Sequence, residues 1–335
     1  MALDNPANSF NFVRLLAAVM VIVSHSFFIL LDGNRSEPLS WAAYDLGATA
    51  VNIFFVLSGM MVSRSFALRP NLARFLRARV LRIYPALLMA GVVTTVAIGP
   101  IGADVPVWRY FTDPANWLYP LQVAYDFAGA DLPAFSHEMR HETNASLWTI
   151  KFELIAYVSF AILAVLGWAG SRLILSVVLA ISAVAVTLGI GVDAESENAV
   201  ASLARFAFAF TLGMLAFELR HRIGLSPALA FIAVAAALSL SLVPGASVWS
   251  ILAFGYAALV LGGTTLRQAW AWTQRADISF GLYLYGWPVQ QALVHVFNWS
   301  EGLIPAHIAT SLLLAGSLAW FSWAAVERPA LRWKG

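Results

Sequence analysis

Apolar stretches about twenty residues long recur from one end of this chain to the other, and that repetition leaves few folds open. Ten can be marked: 10–31, 44–66, 80–101, 146–168, 172–191, 201–220, 226–243, 247–265, 277–297 and 304–326. Each has the length of an α-helix crossing bilayer hydrocarbon. In that medium only helices and closed barrels satisfy every backbone N–H and C=O. The expected fold class is an all-α integral membrane protein of about ten transmembrane helices. Composition agrees: hydrophobic residues make up 60% of the 335 positions and charged residues 11%, against about 25% charged in soluble domains. The only long connections are 64–82 and 102–145. A single transmembrane domain over 1–335 is expected, without a fused extracytoplasmic domain. The first run is longer than a signal-peptide core and no small-residue cleavage site follows it, so it reads as a retained span.

Charge sets the orientation. With the N-terminus placed in the cytoplasm, five of the 20 Lys and Arg fall outside: Arg35, Arg109, Arg140, Lys151 and Arg205. The other fifteen fall inside, the bias that orients bacterial spans. Acids run the other way, with Asp104, Asp113, Asp126, Asp131, Glu138, Glu142, Asp193, Glu195 and Glu197 all outside. Both termini are therefore expected in the cytoplasm. The chain has no cysteine, which excludes disulfides, thiolate metal sites and a cysteine acyl carrier. No metal site and no nucleic-acid partner are expected. His137 and His141 with Glu138 lack a further partner set and read as a solvated loop. The triplets "NAS" at 144 and "NWS" at 298 read as chance.

The first run, "LLAAVMVIVSHSFFIL", places His25 deep among apolar residues. Ionisable groups inside a span are costly, and functional by default. A packing histidine bonded to a neighbouring helix is the plainer alternative. Arg14 lies eleven residues earlier, about three helical turns and about 16 Å along the axis, so both project from nearly one face. A cation at the water boundary and a base deeper on one stripe suit a long ligand with an anionic head and a reactive tail. Alone, Arg14 would be no more than a cytoplasmic anchor.

Polar and charged groups recur in other spans. Asn52 and Ser58 interrupt "VNIFFVLSGMMVSRSF". Ser58-Gly59 permits close helix approach, and Asn52 lies at a depth to bond an imidazole or a substrate carbonyl. In "NLARFLRARVLRIYPALL", Arg74, Arg77, Arg79 and Arg82 crowd one cytoplasmic end without a lysine. Such a cluster orients a chain and binds anionic lipid. Guanidinium forks also match phosphates bidentately, and Pro85 is placed to kink or end the helix. In "NASLWTIKFELIAY", Glu153 needs a partner once buried. It would either orient the His25 imidazole or pair with Arg205 or Lys151. In "DISFGLYLYGWPVQQ", Tyr283, Tyr285 and Trp287 read as interface aromatics or pocket walls, with Pro288 freeing a backbone carbonyl.

In this order the stretches resemble the acyltransferase 3 family, ten-span bacterial inner-membrane enzymes that O-acylate surface glycans. The resemblance runs from about residue 9 to 332. Arg14 and His25 match the Arg-x10-His of its first span, and "FFVLSG" its second-span signature. Arg79 and Arg82 before "IYP" match its Arg-x-x-Arg and Pro, "SLWTIKFE" its SLW-x4-E with Glu153 on the acidic position, and "ISFGLYLYGWPV" and "ERP" its C-terminal signatures. Asn52 stands where many members have Asp, Gly286 where many have His, and Lys151 at a usually neutral position. The Gly286 departure argues against a required second histidine there.

The resemblance implies an acyl-CoA donor, usually acetyl-CoA, and a carbohydrate or glycolipid acceptor at a bacterial cytoplasmic (inner) membrane. Arg14, Arg77, Arg79 and Arg82 would hold the CoA phosphates, and the thioester would meet His25 as general base or transient acyl carrier. Glu153 would orient the imidazole. Asn52, Trp148, Arg205 and Tyr283 are the expected substrate contacts, with the 102–145 and 191–200 loops shaping acceptor binding. Membrane lipid surrounds the whole. Two other classes fit the same residues. A proton-coupled transporter or flippase also carries intramembrane His, Glu and Arg, although no inverted repeat is present. A non-catalytic partner in glycan export would not need His25.

Overall fold

The computed structural model describes residues 8–31, 37–127, 129–136, 141–190, 198–265, 268–297, 299 and 301–333. His137, Glu138, Arg140, Asn298 and the acidic residues of 191–197 lie outside them. Among the described residues there is no strand beyond an isolated Ala103–Ala134 bridge. The described residues form thirteen α-helices in order: α1 Phe10–Leu30, α2 Leu46–Leu68, α3 Leu72–Val93, α4 Val107–Thr112, α5 Pro114–Gln122, α6 Ile150–Val165, α7 Arg172–Thr187, α8 Ala199–Glu218, α9 Pro227–Ser239, α10 Ala246–Gly262, α11 Ser279–Val296, α12 Ile304–Ser322 and α13 Arg328–Arg332. A wider π turn prolongs α3 over Thr94–Ile98 and another joins α12 to α13 over Trp323–Glu327.

A helix lies in each of the ten apolar stretches. Among the described residues six helical segments are long and apolar enough to cross a membrane: Phe10–Leu30, Leu46–Leu68, Leu72–Ile98, Ala145–Val165, Ala199–Glu218 and Glu301–Arg332. α7, α9 and α10 are apolar but shorter. The starts follow side-chain caps. Asp45 accepts from the Ala48 amide, Ser171 from Ile174, and Asn198 from Val200 and Ala201, each satisfying an orphan donor of the first turn. Asn71 does the same for Arg74 at 2.9 Å. That cap starts α3 at Leu72, eight residues before the apolar stretch begins, so the four arginines stand on the helix itself. Pro85 and Pro288 sit inside α3 and α11 and end neither.

The chain divides into two compact units. The first comprises Met1–Ala17, Leu39–Leu76 and Phe152–Ala276; the second comprises Ala18–Pro38, Arg77–Lys151 and Asp277–Gly335. In the first, α2 and α8 cross at backbone contact. A Cβ added at Gly59 would lie 2.0 Å from the Phe210 carbonyl oxygen, and one at Gly213 would lie 1.9 Å from that of Val56. Small residues permit such approach, and in lipid it is close packing rather than water exclusion that holds helices together. Stacked Phe55 and Phe206, with Phe152 beside Phe206 at 5.2 Å, knit α2, α6 and α8. The first turn of α1 is pinned there too: the Ser9 amide and hydroxyl donate to the Gly262 and Thr264 carbonyls, and the Asn11 amide to Thr273.

In the second unit α11 is the core. From Ser279 to Leu293 every residue of it is buried. α12 packs along it, with Gly281 against Ala319.

Candidate active site

His25 stands in the second unit, on the fifth turn of α1. Its ring and that of Trp287 meet edge to face, at 4.9 Å between centroids and 85°. The side chain is half-buried. Its Nδ1 is buried and has no hydrogen-bond partner among the described residues. Trp287, 2% exposed, donates its indole N–H to the Glu142 carbonyl at 2.8 Å, so the ring that flanks His25 is itself fixed.

The residue after His25 anchors the same stretch of α1. Ser26 donates to the Ile22 carbonyl at 3.0 Å. Gln290, fully buried on α11, donates its amide to both Ser26 Oγ (2.7 Å) and the Ile22 carbonyl (2.9 Å). A second buried imidazole, His307 of α12, meets Ser26 Oγ through Nδ1 at 3.1 Å. One turn before Gln290, Gly286 faces Ile22, where an added Cβ would come within 3.0 Å of the isoleucine side chain. A histidine at 286 would therefore force Ile22 aside.

The arginine motif lies in this unit as well. Arg77 is exposed, while Arg79 and Arg82 are half-buried. Arg82 donates to Asp277 at 2.7 Å, with side chains 12% and 14% exposed, and it lies over the Phe280 ring. The other Asp277 oxygen accepts from the Ser279 amide and hydroxyl at the start of α11. Tyr283, further along, donates to the Ser146 carbonyl and bonds the Thr149 hydroxyl, both at 2.7 Å. It thereby fastens the 3-10 turn Ala145–Thr149, which carries Trp148. Asn144, buried, caps that turn at the Ser146 amide and bonds the Leu284 carbonyl.

α11 is thus a common support for sites expected from distant parts of the sequence. Asp277 holds Arg82, Tyr283 holds the Trp148 turn, Trp287 flanks His25 and Gln290 grips the α1 backbone beside it. Asp277 and Trp287 are ten residues apart, about 15 Å at helical rise.

The remaining expected residues belong to the first unit. Arg14 is half-buried on α1, which runs unbroken from Phe10 to Leu30. Glu153 accepts a short hydrogen bond from the Tyr157 hydroxyl, one turn on. Ser58 of α2 meets that same hydroxyl at 3.3 Å. Arg205, 4% exposed, lies over the rings of Phe206 (4.6 Å) and Tyr44 (5.3 Å), a favourable setting for a desolvated guanidinium. Asn52 is 2% exposed, and neither amide atom finds a hydrogen-bond partner among the described residues. A buried unsatisfied amide costs about 1–3 kcal/mol, and native proteins keep such groups sparingly and often for function.

Asp277, Gln290, His307 and Tyr157 carry no role in the sequence reading. Two signals for them are present. "DIS" before an apolar run is a capping pattern, and Gln290, Gln291 and His307 are polar groups inside expected spans.

The family model described as an acyltransferase domain matches residues 7–326, and the chain belongs to that family, acyltransferase 3. Fold and family together define a multi-pass membrane acyltransferase. The O-acetyl transferase of Shigella phage Sf6 is 30% identical over 152 residues, 45% of this chain and 44% of that protein, so the match spans less than half of the phage protein. Nodulation protein 10 of Rhizobium leguminosarum bv. viciae is 28% identical over 363 residues, 97% of this chain and 93% of that protein. No solved structure matches.

Proposed function

We propose that the chain moves an acyl group, acetyl foremost, from cytoplasmic acyl-CoA to a hydroxyl of a cell-surface or exported carbohydrate or glycolipid. In this reading it spans a bacterial inner membrane ten times with both termini in the cytoplasm. The observation that carries the proposal is His25: an intramembrane imidazole with Nδ1 buried, its ring fixed by Trp287. Family membership and the phage relative named O-acetyl transferase support the reaction class.

The donor route follows α11. Phosphates of CoA sit on Arg79 and Arg82, with Arg77 and Arg14 adding charge at the water boundary. The thioester arm extends along the helix toward His25. Nε2, the nitrogen left with access, takes the proton of the acceptor hydroxyl as its oxygen attacks the thioester carbon. The C–S bond breaks and the proton passes to the departing thiolate. An acyl-imidazole formed and then cleaved on the same nitrogen gives the same balance. Glu153 is the carboxylate proposed to favour the charged imidazole, and Asn52, Trp148, Arg205 and Tyr283 are the proposed substrate contacts. No metal takes part.

Proteoliposomes distinguish this from a carrier. Acetyl-CoA labelled separately on acetyl and on adenine is placed on the Arg-cluster side and glycan on the other. Acetyl label on glycan, with the adenine label retained as free CoA, is expected. Transfer of both labels together, or movement of glycan without thioester loss, supports the transporter instead.

A further inference from the structure

The connection between α3 and the Ala145–Thr149 turn is long and acidic, and its expected place is outside the membrane. Its contacts with α3 point to a different place for part of it. α3 supplies a depth scale. Its arginines end at Arg82, and from Ile83 to Ile101 no residue is charged. That run covers about 28 Å at helical rise, close to the hydrocarbon thickness. Gly91 lies about 12 Å above Ile83 and Gly99 about 24 Å above it on the same rise.

The connection meets α3 at successive levels. Tyr110 packs at Gly99, where an added Cβ would lie 2.3 Å from its hydroxyl. That hydroxyl donates to the Thr95 carbonyl at 3.0 Å, within the π turn that disturbs the helical bonding. Pro120 then reaches Gly91, with its Cα 2.7 Å from an added Cβ and Val123 beside it at 3.1 Å. The chain returns past Gly99 at Leu132 and past Gly102 at Phe135. The Phe135 amide closes the neck on the Gly102 carbonyl at 2.8 Å. Between Tyr110 and Leu132 the chain descends two turns along α3 and climbs back.

The faces of α5 agree. Asn116 and Tyr119, with Val123 just past its end, are buried, and Pro120 and Val123 meet Gly91 of α3. The opposite face carries Trp117, Leu118, Leu121 and, beyond the helix, Tyr125, each at least half exposed. A helix apolar on both faces does not belong in water. At the same depth α3 leaves Val92 and Val96 exposed, the surface of a helix apolar enough to span. Polar backbone inside a leaflet must be satisfied internally. Here Asn116 bonds the Tyr110 carbonyl, the Trp117 indole bonds the Phe111 carbonyl, and past Val123, on the returning limb, Asp126 takes the Gly129 amide.

We propose that the described residues of 103–135 form a re-entrant hairpin whose Trp117–Leu121 face lies against the acyl chains of the leaflet at the Gly99 end of α3. The inference stands apart from the acyl-transfer reading.

The absence of cysteine makes the test clean. Single cysteines replace Leu118, Leu121, Val92 and Asp104, and each carries a nitroxide in nanodiscs. Labels at 118 and 121 are expected to collide several-fold more with oxygen than with a water-soluble nickel chelate, as at 92, with the order reversed at 104. Chelate collisions at 118 and 121 equal to those at 104 overturn the proposal. A second experiment uses the unsubstituted protein with phospholipid bearing a diazirine near the end of its acyl chain. Adducts on the 114–125 peptide are expected. Adducts on α3 with none on 114–125 overturn it.

Discussion

Trp287 and His25 meet edge to face at 4.9 Å while the indole N–H of Trp287 is tied to the Glu142 carbonyl. The contact makes α11 the wall against which the imidazole is oriented. Trp287→Ala removes a buried ring and is expected to cost about 3–5 kcal/mol of stability, with acyl transfer falling at least tenfold. Trp287→Phe keeps an aromatic edge and loses one hydrogen bond, so its melting temperature and rate should lie much nearer to wild type. Thermal melts in micelles and turnover in nanodiscs measure both. Equal activity in all three would remove Trp287 from the site.

Arg82 and Asp277 form a pair shielded enough for partner loss to matter. Deleting one member of a buried pair costs about 3–5 kcal/mol, and partial exposure here places Asp277→Ala toward the lower end. The functional consequence is separable. Arg82→Ala and Arg79→Ala should raise KM for acyl-CoA at least tenfold while kcat changes less. An unchanged KM in folded Arg82→Ala protein would leave that arginine as a structural anchor only.

At the α2–α8 crossing, an added methyl at Gly59 or Gly213 meets a carbonyl oxygen at 2.0 or 1.9 Å. Backbone cannot yield as a flexible side chain does. Gly59→Ala and Gly213→Ala should each destabilise by several kcal/mol, as overpacked cores do, and the double variant should be less than additive because the two share one crossing. Size-exclusion profiles and melting curves show this. A Gly59→Ala protein melting with wild type would contradict the crossing.

Glu153 takes its hydrogen bond from Tyr157, which also meets Ser58. Glu153→Gln keeps an acceptor for that phenol and removes the charge. It should melt near wild type yet lose acyl transfer by about 10²-fold or more, in the range of an acid–base group. Tyr157→Phe, which keeps the carboxylate, should retain most activity. Wild-type rates in Glu153→Gln would leave the carboxylate without a catalytic role.

Apolar length alone marked where helices lie, because hydrocarbon offers the backbone no other partner. It did not mark where α3 begins. Asn71 caps a helix whose first turns are basic, and capping is blind to apolarity. Pro85 read as a kink or an end yet lies inside α3, and Pro288 lies inside α11 as its span required, since packed neighbours stabilise a span that has lost one hydrogen bond. The charged 102–145 segment read as a loop because acids recur along it at 104, 113, 126, 131, 138 and 142, and the apolar helix between two of them, Pro114–Gln122, is short. Within the site, His25 and the arginines stood out as charge in the wrong medium. Asp277, Gln290 and His307 act through contacts with residues 195, 264 or 268, and 281 positions away, and no local pattern encodes such pairings.

The most direct measurement is acetyl-CoA turnover by purified protein in nanodiscs with surface glycan as acceptor, wild type beside His25→Ala. Label should reach glycan with wild type and fall by about 10²-fold or more in the variant, at matched melting temperature and matched acetyl-CoA binding. Transfer by folded His25→Ala at the wild-type rate would contradict a catalytic His25.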